Sequence, residues 1–144
     1  MSMLRDGIRD RHELTLLRSE RSMTDCRLIS IFSIQTLHQL RKELGINLDK
    51  RRFRANLYVE LESGRGFGED EFLGRTLRIG AKTAIAVVSR DSRCKMITLD
   101  PDTAQPNPEV MIRVARDHAA EAGIWGVVLT EGTIRPGDEI TLVD

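Results

Sequence analysis

The stretch RRFRANLYVELES, residues 51–63, governs how the rest of the chain is read. Phe53, Ala55, Leu57, Val59 and Leu61 alternate with Arg52, Arg54, Asn56, Tyr58 and Glu60. A period of two is that of a β-strand, whose successive side chains point to opposite faces. The pattern predicts one strand with the first set on the core and the second on the other face. Arg54 and Asn56 are then expected on the same side, one pleat apart. From the pattern alone that polar face is either solvated outer surface or the wall of a site.

Upstream, RLISIF (27–32) reads as a buried strand, and Ser33 opens SIQTLHQLRKELG (33–45). Ile34, Leu37, Leu40 and Leu44 recur there at helical spacing, with Ser33 as N-cap and Gly45 as stop. Downstream, the glycine-rich GRGFGEDEFLGRTLRIG (64–80) predicts a loop leading into a short strand around Leu77 to Ile79. TAIAVVS (83–89) reads as a buried strand, CKMITL (94–99) as another, and DPDT (100–103) as a turn. NPEVMIRVARDHAAEAG (107–123) predicts a helix capped by Asn107 and ended by Gly123, with His118 on its face as a packing histidine. WGVVLTEGTIRPGDEITLV (125–143) reads as three short strands. Strands dominate and two helices interrupt them. The expected class is mixed α/β, mainly β: a small barrel with flanking helices.

Composition narrows the function classes. At 144 residues the chain fits one domain, 1–144, with residues 1–11 expected to be disordered or a linker remnant. Basic and acidic residues balance at 22 each, which argues against a general nucleic-acid binder. Aromatics are only 4%, too few for a single-strand stacking platform. No stretch approaches the about 18 apolar residues of a membrane helix. The first residues read as neither signal nor transit peptide, so a cytoplasmic setting and no membrane partner are expected. Two cysteines are too few for a disulfide scaffold.

Among chemical motifs, there is no phosphate-cradling glycine loop, no nucleophile elbow and no zinc-protease helix. His12, His38 and His118 show no metal-ligand spacing with Cys26 or Cys94, so neither zinc nor a nucleotide is expected, nor pyridoxal phosphate. Cys94 survives this pruning. Thiolates are nucleophiles and soft metal ligands, and Arg93 and Arg90 lie close in sequence. Cys26 also has an arginine beside it, Arg27, so charge alone does not separate the two thiols. Chemistry by itself stops at a candidate reactive thiol.

Five segments carry a resemblance: MTDCRLISIFSIQTL (23–37), RRFRANLYVE (51–60), FGEDEFLGRTLRIG (67–80), SRCKMITLDPDT (92–103) and GVVLTEGTIRPGDEITL (126–142). In this order they resemble a MOSC domain, the module named for the C-terminal part of molybdenum cofactor sulfurase. They are also similar to the C-terminal part of the mitochondrial amidoxime-reducing component and its bacterial relatives. The resemblance covers the chain from about residue 12 onward. It implies a barrel that binds molybdenum cofactor (molybdopterin) or carries sulfur. Cys94 stands where that family's cysteine ligates molybdenum or bears persulfide sulfur, as catalytic residue and metal ligand. Arg54 and Asn56 fall on the family's R-F-R-P-N motif and are expected to contact the pterin or its phosphate. Ser92 and Arg93 are expected to line the same site, and Asp25, Ser33 and Thr36 match polar positions before the first helix.

This sequence departs from the family pattern at Ala55, where the motif has proline, and at Phe72, where relatives often have tryptophan. Two-domain relatives carry an N-terminal domain with further basic residues for the cofactor's phosphate, which this chain is expected to lack. A partner supplying those contacts, or a redox protein donating electrons, is therefore implied. The reaction implied is reduction of N-oxygenated compounds. The alternative reading is a non-catalytic barrel that recognises an anionic small molecule or a protein through Arg52, Arg54 and their neighbours.

Overall fold

The computed structural model describes residues 28–143. His12, Asp25 and Cys26 lie outside the described residues, so the expectations placed on them are not addressed by the fold. Six strands form one sheet: β1 (Ile29–Ser33), β2 (Leu57–Val59), β3 (Thr76–Ile79), β4 (Thr83–Ser92), β5 (Glu121–Thr130) and β6 (Ile140–Val143). Their order is β2-β1-β5-β4-β3-β6, and every neighbouring pair is antiparallel except β1 with β2. Among the described residues two α-helices, α1 (Ile34–Leu44) and α2 (Pro108–Asp117), flank it. The class is mixed α/β, mainly sheet, as expected of a small barrel with helices on its side.

Two apolar clusters account for the packing. Phe32 of β1 meets Leu37 and Leu40 of α1, Val110 and Val114 of α2, and Phe53, with the Phe32 and Phe53 rings stacked at 4.2 Å. The neighbouring Ile31 points the other way and joins Leu77, Ile85, Val87 and Ile124 inside the sheet. Alternation along β1 therefore feeds both clusters. On β5 the alternation breaks, because Ala122 joins the first cluster and Ile124 the second although they are two residues apart. Between them Gly123 takes φ +87°, which turns the chain over.

Both helix starts follow their sequence signals. Ser33 caps α1 by accepting from the Thr36 amide at 3.0 Å, and Gly45 closes it at φ +66°. Asn107 caps α2 with proline in the first turn. The other end of α2 comes earlier than periodicity predicts. The helix stops at Asp117, His118 is its C-cap, and Ala119 and Ala120 both take positive φ before β5 begins at Glu121. His118 acts as a packing residue: its Nε2 lies 2.8 Å from Glu43 on α1, and its ring stacks on Phe67 at 3.9 Å.

Three further expectations are corrected. The strand predicted over 51–63 shrinks to Leu57–Val59, because Lys50–Phe53 is a 3₁₀ turn capped by Asp49. Arg54 then sits in the left-handed region at φ 52°, so Arg54 and Asn56 are not one pleat apart on a strand. CKMITL is no strand either, since Lys95–Thr98 forms another 3₁₀ turn. Only two of the three C-terminal strands form. Ile134 packs against the sheet from an irregular segment.

Candidate functional site

Cys94 begins the second of those 3₁₀ turns, just after β4 ends at Ser92. It is the free cysteine among the described residues and is exposed. The residue before it is held hard. The Arg93 amide donates to the Ala120 carbonyl at 2.7 Å. Its side chain is only 7% exposed, with Nε on the Ala122 carbonyl at 2.6 Å and Nη1 on the Phe53 carbonyl at 2.8 Å. Nη2 lies 2.8 Å from Asp91 Oδ2. That approach is an ion pair off the N–H direction, and it leaves Nη2 without an aligned acceptor among the described residues. The guanidinium also lies over the Phe53 ring at 5.5 Å and the Phe32 ring at 5.8 Å.

Asp91 is equally buried and accepts a 2.8 Å bond from the Ser30 hydroxyl. Burial pushes its carboxyl upward, and the Arg93 charge and the Ser30 hydrogen bond pull it back. Burial likewise pushes the Arg93 guanidinium down, against the pull of Asp91. The two groups stay paired because neither has water to turn to.

The RRFR motif meets this segment through its first two arginines. Arg52 donates to the Thr98 carbonyl at 2.7 Å and to Asp100 at 3.0 Å. Arg51 makes two bonds to Asp102, at 2.9 and 2.7 Å. Asp100 in turn accepts from the amides of Asp102 and Thr103 and from the Thr103 hydroxyl, so DPDT is a braced turn, as its composition predicts. Those bonds, the Thr103 amide first, hold the Asp100 carboxyl below its ordinary 3.8. A depressed carboxylate contributes stability that is present above the unfolded value and is lost as pH falls through the folded one. Backbone exchange at Asp102 and Thr103 should therefore stay slow from neutral pH to about pH 4 and rise below it, measured by amide hydrogen exchange corrected for intrinsic rates. Unchanged protection down to about pH 2 would count against the brace.

The remaining candidates separate into free and engaged groups. Arg54 is exposed; its backbone amide donates to the Arg51 carbonyl at 3.1 Å, and its side chain has no hydrogen bond or ion pair among the described residues. Its neighbour's carbonyl is the one that Arg93 holds, which ties the Arg54 backbone to the Cys94 backbone through one side chain. Asn56 is used within the fold: its Oδ1 accepts from the Ser30 amide and its own amide donates to the Ser30 carbonyl, both at 2.9 Å. Ser92 is exposed and pairs in register with Glu121. Ser33 and Thr36 are fully buried and donate their hydroxyls to Glu69, at 2.7 and 2.8 Å.

Glu69 was not singled out in the sequence, yet it is 0% exposed and organises that corner. Besides the two hydroxyls it accepts from the Ser33 amide at 3.2 Å, while Thr36 accepts from the Phe67 amide at 2.7 Å. The available signal was an acidic residue inside GRGFGED, which composition reads as solvated loop. A cleft of about 250 Å³ opens beside it, lined by Phe67, Asp70, Arg90, His118, Ala119 and Glu121. Its Ala119–Glu121 wall is the turn that accepts the Arg93 amide, so the cleft borders the Cys94 segment.

A barrel-type sheet, flanking helices and an exposed cysteine after a buried arginine define the class. The sequence matches the MOSC domain family over residues 18–141, and the chain belongs to that family. Among solved structures it is similar to YiiM from Geobacillus stearothermophilus, with TM-score 0.57 and 19% identity. That match covers 81% of this chain and 54% of YiiM, so the chain spans about half of that protein's length. At this identity the likeness concerns the fold. A comparison with curated protein sequences gave no match.

The donors suit a particular kind of group. Among the described residues no set of three or more His, Cys, Asp or Glu is placed to hold a metal ion. A metal arriving with its own sulfur ligands needs only one soft donor from the protein, and Cys94 offers one in the open. The Arg54 guanidinium has no partner among the described residues, which suits it to phosphate. These residues fit molybdenum cofactor. Among the described residues no helix is long and apolar enough to cross a membrane.

Proposed function

We propose that this MOSC domain uses Cys94 as the protein's thiolate ligand for molybdenum cofactor, with Arg54 contacting an anionic group of the bound molecule. The exposure of Cys94 on a segment anchored by a buried ion pair carries this reading. When bound, the cofactor would supply two-electron redox chemistry. The chain's own part is to present the soft sulfur of Cys94 and the exposed guanidinium of Arg54 on a fixed backbone. The reaction class is reduction of N-oxygenated compounds: the N–O bond breaks and oxygen leaves as water. Two electrons would come from a separate redox protein and two protons from solvent. A partner that adds cations for the cofactor's phosphate belongs to the same reading, because Arg51 and Arg52 are already committed to Asp102 and Asp100.

The test is metal analysis and pterin fluorescence on the full chain made in a cofactor-competent host. About one molybdenum per chain, absent from Cys94→Ser, is the expected result. A labile persulfide on Cys94 without metal would replace ligation by sulfur carriage, the second reading that its exposure favours. Neither metal nor persulfide would leave a binding module that works through Arg54, whose side chain has no partner among the described residues, since Arg52 is held by Thr98 and Asp100.

A further inference from the structure

Arg93 stands beside Cys94 in the sequence and was expected to line a cofactor site, but its side chain runs inward. Its donors reach the Ala122 carbonyl of β5 at 2.6 Å and the Phe53 carbonyl at 2.8 Å, and its charge pairs with Asp91 at 2.8 Å. Asp91 is itself tied to Ser30 of β1 at 2.8 Å. One guanidinium thus connects β1, the 50–53 turn, the end of β4 and β5. Few side chains can do this, since it requires several donors in a rigid planar fork together with a permanent charge.

The two exposed groups of the site hang from this junction. Cys94 follows Arg93 directly, and Arg54 follows Phe53, whose carbonyl Arg93 holds. Arg54 is also kept in a left-handed backbone conformation at φ 52°, which a non-glycine residue keeps only where its surroundings impose it. The 3₁₀ turn before it ends where Arg93 grips, so the grip and the unusual backbone coincide.

We propose that Arg93 is a positioning residue: it sets Arg54 in register with Cys94 from beneath and does not itself touch the ligand. This rests on the reading of Cys94 as the functional thiol, but not on which metal or sulfur species it bears. Arg54, one residue beyond that grip, then adds its charge at the thiol to that of the buried Arg93, which already acts on Cys94, and Arg93 makes the addition reproducible from molecule to molecule.

The test compares alkylation of Cys94 by iodoacetate, an anion, with alkylation by neutral iodoacetamide, in full-length apo protein read by peptide mass spectrometry. The ratio of the two rates reports local charge and cancels changes in exposure or stability. Arg54→Ala should lower the ratio about threefold in the native background. In an Arg93→Lys background the same Arg54 change should move it by less than about 1.5-fold, which is the coupling expected of residues acting as a unit. Equal effects in both backgrounds, or no effect of Arg54→Ala in the native one, would overturn the proposal. Should Arg93→Lys not fold, Asp91→Asn keeps the two carbonyl bonds and removes the ion pair. There the effect of Arg54→Ala should fall to about half on a logarithmic scale, and an undiminished effect would overturn the proposal. Molybdenum content is not part of this readout, so a domain that binds no metal can still show or lack the coupling.

Discussion

Asp91→Ala should be among the most damaging single substitutions in the chain, at about 3–5 kcal/mol of unfolding free energy. The carboxylate is 2% exposed and its partner Arg93 is nearly as deep. Removing the acid leaves a guanidinium charge in the core with no second ion pair among the described residues, and it strands the Ser30 hydroxyl. The control is Asp102→Ala, which breaks the Arg51 pair on the surface, where Arg51 is 53% exposed and Asp102 66%. Arg51 keeps its Asp49 partner there and water replaces the lost carboxylate, so the loss should be a small fraction of that for Asp91→Ala. Urea denaturation of the two variants measures the difference directly. Losses of similar size would mean that the Asp91–Arg93 pair is better hydrated than its burial implies.

Gly123→Ala is expected to cost about 2–4 kcal/mol, although it adds one methyl group. Two separate causes combine. The backbone angle of +87° disfavours any L side chain, and a Cβ built there would lie 2.8 Å from the Ile31 carbonyl oxygen. It would also approach Arg93 Nη2 at 3.0 Å and the Phe32 ring at 3.2 Å. The oxygen belongs to the β1–β5 ladder and cannot rotate away. Gly137→Ala is a useful comparison, with a similar φ of +91° and no atom within 4 Å of the new Cβ. Its loss reports the backbone term alone, and a thermal melt showing equal losses would remove the steric part of the explanation.

How far the sequence could be read depends on whether the deciding forces are local. Helix α1 was legible because its apolar spacing, its serine cap and its terminal glycine all act within one turn of each end. The strands β3 and β4 were legible from apolar runs, and the DPDT turn from side chains that bond their own backbone. Cys94 was separable from Cys26 only through family resemblance, since both have an arginine beside them. In the structure Arg93 turns inward and Cys94 is exposed, which no spacing rule could have indicated.

The misread stretch shows the other side. Residues 51–63 alternate like a strand throughout, and only Leu57–Val59 pairs as one. Arg51 and Arg52 are drawn away by Asp102, Asp100 and the Thr98 carbonyl, about fifty positions later in the chain. Phe53 is buried by stacking on Phe32, and its carbonyl is held by Arg93. Pattern therefore predicted which residues are buried better than it predicted the backbone that buries them.

Glu69 makes the same point for polar groups. An acid in a glycine-rich loop reads as solvated, yet two hydroxyls and an amide from the start of α1 converge on it and allow complete burial. By itself the sequence determined the class of fold, the capped helices, the braced turn and Cys94 as the candidate thiol, because propensity and family pattern act along the chain. Only the tertiary structure decided that Arg93 faces inward, that Arg54 is exposed and that Glu69 is buried. Each of those outcomes depends on partners distant in sequence, and a side chain's role changes completely when such a partner replaces water.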